Sequence, residues 1–563
     1  MFELFYKKNN NSKLFSYLEK NGFSDVQNYV PTYSLFFSLD DKNFNNINLN
    51  NRYSITNIVD RQNNNQFTVK CKDDRNNDNP HSSEAFFKFS PLLDPVKFMV
   101  GKYRHMDTDK MGSLPLLSGD KCCKKVLDYN NSAYIDSFFS YLSSKLLNEN
   151  GFIHGTNFYG SFLSIQKEFK LDVYDDLEYL YDSPFFHKEK NSLFKVDNVD
   201  DKLEFSDTRN YRKKIKLGEI TQDLECETID ENMYEELFHL TSENLKKHEN
   251  SLKEEYSQVI VKGDKSAKKS NSTCSSRSSN TDDEDIVDDE TEESLSNSQM
   301  SEYSSMESEE TVNATVYNFP VQVICLEKLE NTLDSLLENE KKELTNNEWK
   351  SCLFQVIMML ITYQKVFNFT HNDLHTNNIM YANTEKRFIN YKLDGIYYRV
   401  PTHGKIYKII DFGRAIYNFK GKTLCSDSYH PKGDAATQYN FEPYFNEEKP
   451  RLDPNKSFDL CRLGCSLFDY FVEDIEEQHD IKNPIANLII EWTKDDKDRN
   501  ILYKNNGEER YPEFKLYKMI VRTVHNHKPQ DQIGKDIFKS FISSKKKIKK
   551  QKVVNIDDME CMC

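Results

Sequence analysis

The run HNDLHTNNIM at residues 371–380 gathers two imidazoles, a carboxylate and several amides. A second carboxylate, Asp411, follows an aliphatic run in IIDFG at 409–413. A carboxylate beside a hydroxyl can accept its proton, and carboxylate and amide oxygens are the ligands that hard cations such as Mg²⁺ take. The residue types therefore suit a loop that handles phosphate and metal. A polar surface loop is the plain alternative, and only the surrounding elements can decide between them.

Those elements are ordered in a definite way. Thr345 and Glu348 have capping-box spacing, and Trp349, Leu353, Val356, Ile357, Leu360 and Tyr363 form a helical apolar stripe leading into the loop. A short strand, 379–381, follows the loop, and a buried strand in KIYKIIDFG (405–413) ends on Asp411. Residues 382–404 between them are expected to protrude as a hairpin or loop. Upstream, EAFFKFSPL (84–92) alternates like a strand and carries Lys88. Residues 132–148 place Tyr134, Ile135, Phe138, Phe139, Leu142 and Leu146 on one broad helical face. HGTNFYGSFLSI (154–165) and FPVQVICLEKL (319–329) read as strands, and SFDLCRLGCSLFDYF (457–471) as an apolar helix in which Cys461 and Cys465 are core thiols.

The 563 residues exceed one compact core, yet only 37% are hydrophobic. Residues 281–310 hold 13 Asp or Glu and no Lys or Arg, which accounts for most of the net charge of −16. The Ser/Lys and Ser/Asp/Glu stretch 262–312 cannot bury enough apolar area to offset the entropy of ordering, so it reads as disordered. The rest is near neutral, which gives no reason to expect specific nucleic-acid binding. The longest apolar run, FQVIMMLITY (354–363), is too short to span a membrane, and the N-terminus lacks a signal-peptide core. An intracellular, reducing setting is expected. The tail around KKKIKK (545–550) reads as a frayed basic end, and it and the acidic arm are candidate contacts for other proteins.

The order H-x-D-L-x-x-x-N, strand, D-F-G resembles the core of the protein kinase superfamily. The resemblance implies an α+β, bilobal protein-kinase-like fold: a small, mostly-β lobe with one main helix and a larger helical lobe, with a long disordered acidic insertion in the small lobe. Its parts would be an N-terminal extension and start of the small lobe (1–83), the small lobe (84–175), the insertion (176–318), hinge and large lobe (319–538) and a flexible basic tail (539–563). It makes Asp373 the catalytic base, Asn378 and Asp411 ligands of Mg²⁺, and Lys88, paired with Asp136, the holder of the ATP phosphates. His375 would stand near the γ-phosphate. His371, Phe412, Gly413 and Asp459 would support the loop, with Asp459 in D-x-x-x-L-G form tying it down. Residues 414–442 become the activation segment. The implied function is transfer of the γ-phosphate of ATP to Ser/Thr hydroxyls of proteins.

Four features depart from the pattern. Residues 23–100 contain no glycine, so a glycine-rich phosphate loop is missing and the Asn run in DRQNNNQF (60–67) stands in its place. Asp136 is shorter than the usual glutamate. Asn372 replaces the arginine that usually binds an activation-loop phosphate, which predicts activity independent of that phosphorylation. His375 replaces a lysine, and H-x-D-L-H-x-x-N is also similar to the loop of aminoglycoside and choline phosphotransferases and of haspin-like atypical kinases. Asp411-Phe412-Gly413 followed by Arg414-Ala415 favours a protein substrate. A small-molecule phosphotransferase and a pseudokinase scaffold stay open as alternatives. The combined pattern is similar to the Ser/Thr kinases of nucleocytoplasmic large DNA viruses, which implies a virus-encoded enzyme of the host cytoplasm, packaging in the virion included.

Overall fold

Runs with alternating burial in the N-terminal part of the chain pair into one seven-stranded antiparallel sheet. Its strands are β1 (Phe23–Gln27), β2 (Tyr53–Arg61), β3 (Gln66–Asp73), β4 (His81–Pro91), β5 (Phe158–Asp172), β6 (Phe194–Val196) and β7 (Asn313–Glu327). They lie in the order β1-β5-β7-β4-β3-β2, with β6 paired to β7 off that path. The computed structural model describes residues 2–7, 10–75, 80–104, 112–119, 122–197, 312–338, 343–475, 478–548 and 551–563. In β4, Ala85 and Phe87 are fully buried and Phe87 stacks on Phe67 of β3 at 4.3 Å. Lys88 alternates to the other face, in register with Ile324 of β7.

Helix α1 (Ser132–Asn150) packs across that face. The Asn131 side chain caps its start, and Gly151 ends it in the left-handed region at φ +69°. Every residue from Ala133 to Leu146 is buried, not only the apolar stripe. Serines make this workable: Ser143 Oγ bonds the Tyr363 hydroxyl at 2.8 Å and Ser144 Oγ accepts from the Phe158 N–H at 3.0 Å.

The C-terminal part is mainly helical. Helix α2 (Asn346–Phe367) opens with the expected capping box of Thr345 and Glu348. After it come β8 (Ile379–Asn383), the hairpin β9 (Phe388–Leu393) and β10 (Ile396–Pro401), and β11 (Lys405–Ile409), which pairs with β8. A hairpin does form within 382–404, but it does not protrude as expected: Tyr391, Tyr398 and Val400 are buried, with Tyr398 packed on Phe354 of α2. A second hairpin, β12 (Ile416–Phe419) and β13 (Lys422–Cys425), precedes helices α3 (Phe458–Phe471), α4 (Pro484–Trp492) and α5 (Phe514–Thr523). Cys461 and Cys465 are buried, unpaired thiols in α3.

Order extends further than composition indicates. The stretch expected as an insertion, 176–318, is structured at both ends: Phe186 and Phe194 are fully buried, and β7 starts at Asn313. Of the stretch expected as disordered, 262–312, residues 262–311 and with them the acidic arm 281–310 lie outside the described residues, whereas Val312 is buried and its carbonyl accepts the Val173 N–H at 2.8 Å. The expected frayed tail also differs. Strands β14 (Ile542–Ser543) and β15 (Val554–Asn555) complete a four-stranded sheet in the order β14-β10-β9-β15. Ile556, Met559 and Met562 are buried beyond it. The lysines before them dominate the composition, but these few apolar side chains decide the packing. Among the described residues no helix is long and apolar enough to cross a membrane.

Candidate functional site

Three separate segments meet at Lys88, its own strand among them. Its ammonium lies 2.7 Å from Asp136 Oδ2 of α1 and 2.8 Å from Asp411 Oδ1. The other Asp136 oxygen accepts the Phe412 N–H at 3.0 Å. The aspartate thus clamps both the lysine and the D-F-G backbone. Phe412 packs on Phe139 of α1 at 4.6 Å and on His371 at 5.7 Å. Asp411 holds φ +62°, a sparsely populated conformation for a non-glycine residue, and its Oδ1 accepts the Gly413 N–H at 3.4 Å.

The 371–378 loop is fastened from α3. Asp459, fully buried, accepts the backbone N–H of His371 at 2.9 Å and of Asn372 at 2.8 Å. One His371 nitrogen, Nε2, lies 2.9 Å from the Ile410 carbonyl, and Nδ1 accepts the Asp373 N–H at 3.3 Å. Nε2 is therefore the protonated nitrogen. Asn378 donates to the Asp373 carbonyl at 2.9 Å and lies 3.1 Å from His375 Nε2. The Ile410 N–H bonds the Asn378 carbonyl at 3.0 Å, which joins the loop to the strand delivering Asp411.

Electrostatics follow from these contacts. Burial alone would lower the Lys88 ammonium, but Asp136 and Asp411 outweigh it and raise it. Burial pushes the Asp136 carboxyl up, whereas at Asp411, which is only partly covered, the lysine outweighs desolvation and lowers it. At Asp373 burial is opposed chiefly by Arg414, and the carboxyl stays below its ordinary value. Burial brings His375 down to about 4, so it is neutral at pH 7 and its Nε2 can accept the Asn378 N–H.

Of the three neighbours of Asp373, Tyr517 and Arg462 carry no signal in the sequence, and Arg414 stands out there only as the residue after D-F-G. The Tyr517 hydroxyl of α5 donates to Asp373 Oδ1 at 2.8 Å, Arg462 Nε donates to the same hydroxyl oxygen at 3.0 Å, and Arg414 Nε stands 3.9 Å from Asp373 Oδ2. The Asn run sits in the β2–β3 turn, as its position implies. There Asn63 Oδ1 accepts the N–H groups of Asn65 and Gln66 at 2.9 and 2.8 Å. Asn65 is tied to β4 through both N–H and carbonyl of Phe87. Side chains thus supply the turn chemistry that glycine would otherwise provide.

The donor set fits a divalent cation held jointly with phosphate. Asn378 spends its amide N–H groups within the loop, which leaves its oxygen, and the Asp411 side chain is 46% exposed. Among the described residues no three His, Cys, Asp or Glu are grouped to hold a metal by themselves. Mg²⁺ on a nucleotide needs only one or two protein oxygens, the phosphates and water supplying the rest.

Comparison with known proteins points the same way. Over 116 residues the chain is 34% identical to a probable serine/threonine-protein kinase of Dictyostelium discoideum, a match covering 20% of this chain and 9% of that protein. Over 102 residues it is 33% identical to a probable kinase of Invertebrate iridescent virus 3, covering 18% of this chain and 19% of that protein. The chain thus matches under a tenth of the first relative's length and about a fifth of the second's. No family model matches. These two matches establish a kinase-like relationship for the chain.

Proposed function

We propose that the chain is a protein kinase that transfers the γ-phosphate of ATP to Ser/Thr hydroxyls of proteins. The observation that carries this reading is the Lys88 ammonium between Asp136 and Asp411, at 2.7 and 2.8 Å, beside the loop that bears Asp373. The strand order β2-β3-β4 with β7 and β5 beyond, and α1 on the Lys88 face, supports the bilobal reading. The start of the small lobe within 1–83 then supplies β1, β2 and β3, residues 84–175 with β7 complete it, and the chain after β7 forms the hinge and large lobe, with the insertion leaving from the β5–β7 end of the sheet.

In this mechanism Lys88 holds the α- and β-phosphates, and Asp136 keeps the lysine in place. Asp373 accepts the proton of the acceptor hydroxyl as its oxygen bonds the γ-phosphorus, and the bond to the β-phosphate oxygen breaks to release ADP. Asn378 and Asp411 would hold Mg²⁺, which when bound neutralises charge on the phosphates. His375, neutral, braces Asn378 and leaves Nδ1 to face the γ-phosphate. Asn372 and Tyr439 hold the 414–442 segment without a phosphate group, which supports activity independent of its phosphorylation. A viral source, action in the host cytoplasm and packaging in the virion belong to this reading, and the iridovirus relative supports the first of them.

The test is transfer of labelled γ-phosphate from Mg-ATP to casein and a basic protein, with Asp373→Asn, Asp411→Asn and Lys88→Met beside the wild type. We expect incorporation on Ser and Thr by the wild type alone, with each variant reduced by about a hundredfold or more. No incorporation by the wild type would sink the protein-kinase reading. One observation favours a scaffold as the second reading: in the β2–β3 turn the N–H groups of Asn65 and Gln66 already bond Asn63 and are not available to phosphate. A thermal shift with Mg-ATP separates the two, since a scaffold that binds no nucleotide shows none.

A further inference from the structure

We infer that Tyr517, on α5 and far in sequence from the 371–378 loop, is a positioning residue that fixes the Asp373 carboxylate for proton transfer, with Arg462 aiming the tyrosine in turn. The inference rests on the reading of Asp373 as the proton acceptor. A phenol has one proton to donate. Arg462 Nε already donates to the Tyr517 oxygen at 3.0 Å, and an arginine cannot accept. The phenol proton is therefore directed to Asp373 Oδ1, 2.8 Å away. Tyr517 is 1% exposed and Arg462 3% exposed, so neither is free to swing. The Arg462 guanidinium also lies over the Tyr517 ring, 5.3 Å from its centre.

This arrangement makes the two oxygens of Asp373 unequal. Oδ1 is held by the tyrosine. Oδ2 stands 3.9 Å from Arg414 Nε, beyond hydrogen-bond length, and is the oxygen left to accept a hydroxyl proton. The loop orients its own backbone through Asp459 and His371, but nothing in the loop fixes the rotation of this carboxylate. The α5 tyrosine supplies that constraint. Sub-ångström control of the accepting oxygen is what separates a reactive pose from a bound one.

The ordinary alternative is a core tyrosine whose hydroxyl takes the nearest acceptor and does nothing further. Tyr517→Phe separates the two, because it keeps the ring packed on Phe514 and Phe458 and removes only the hydroxyl. Should the unpartnered Arg462 prevent folding, the double variant Tyr517→Phe/Arg462→Met removes the buried charge together with its acceptor. Two readouts are used: the pH profile of kcat for phosphate transfer from Mg-ATP to casein, and the ¹³C titration of the Asp373 carboxyl, assigned with Asp373→Asn. Removing a donor from the charged form raises the pKa. We expect the Asp373 titration and the acid limb of kcat to move up by about one to two pH units. We also expect kcat to fall about tenfold or more with KM for ATP unchanged. An enzyme that transfers phosphate but whose titration and acid limb stay put on loss of the hydroxyl overturns this inference alone. A wild type that transfers nothing overturns the kinase reading, and the positioning role of Tyr517 with it.

Discussion

Asn372 shows how one side chain can replace a regulated contact with a permanent one. It is fully buried and sits at φ +65°, where asparagine is better tolerated than most residues. Its amide donates to the Arg414 carbonyl at 3.1 Å and to Thr370 Oγ1 at 3.1 Å, and its oxygen accepts the Tyr439 hydroxyl at 2.6 Å. Both ends of the segment after Asp411 are therefore bonded to the residue before Asp373. Asn372→Ala takes away the acceptor of the buried Tyr439 hydroxyl and places alanine at positive φ, while the Arg414 carbonyl keeps the Tyr429 hydroxyl at 2.7 Å. It should lower unfolding free energy by about 2–4 kcal/mol, measured by urea denaturation. Residues at this scale differ in how legible they are. Asp373, Asn378 and Asp411 announce themselves because their spacing lies within one loop and one strand. Lys88 and Asp136 can be paired only by assuming the fold. Tyr517 has no local signal, because it meets Asp373 across 144 positions of chain.

Elements were readable wherever one face was buried and the other was not. The alternation of β4 and of the hairpin within 382–404 is of that kind, whereas α2, buried at every position from Ser351 to Tyr363, is marked by its capping box and apolar stripe. Helix α1 was half legible: its stripe marks a helix, but Ser137, Ser140, Ser143 and Ser144 look like a solvent face and are buried. Hydrogen bonds from neighbouring elements satisfy Ser143 and Ser144, which no periodicity reveals. The C-terminal segment is the opposite case, where lysines hide a packed end. Its Met562 exchanges backbone bonds with Val366 of α2 and Lys420 of the β12–β13 hairpin, both at 2.7 Å. Ile556 bonds the Lys392 carbonyl of β9 at 2.9 Å. Removing 551–563 uncovers the end of α2 from which the 371–378 loop departs. The truncated chain should lose roughly 4 kcal/mol or more from the burial of Ile556, Met559 and Met562 alone. A melting temperature equal to that of the full chain would show that the segment contributes nothing to the core.

At the scale of the whole molecule the sheet part and the helical part are joined by buried polar contacts as well as by the site. His154, in the turn after α1, is fully buried with Nδ1 2.7 Å from the Tyr407 carbonyl of β11 and Nε2 2.6 Å from the Tyr391 hydroxyl of β9. Nδ1 must carry the proton and Nε2 accept from the tyrosine, so the neutral imidazole satisfies both partners. Lys408 of β11 donates to the Gly155 carbonyl at 2.9 Å and pairs with Glu327 at the end of β7. Burial lowers the His154 pKa from 6.5 to about 4. The unfolded chain therefore takes up a proton at a higher pH than the folded one. Stability from this residue is complete above pH 6.5 and is lost as pH falls through 4, by roughly 3 kcal/mol in all. His375 and His527 are also lowered by burial, so the wild-type slope is shared and only a difference is diagnostic. His154→Gln keeps a donor and an acceptor but cannot titrate. Its melting temperature at pH 7 should lie below that of the wild type, and the gap should narrow steadily between pH 6.5 and 4. A gap that stays constant across that range would mean that the histidine is not the acid-labile joint between the two parts.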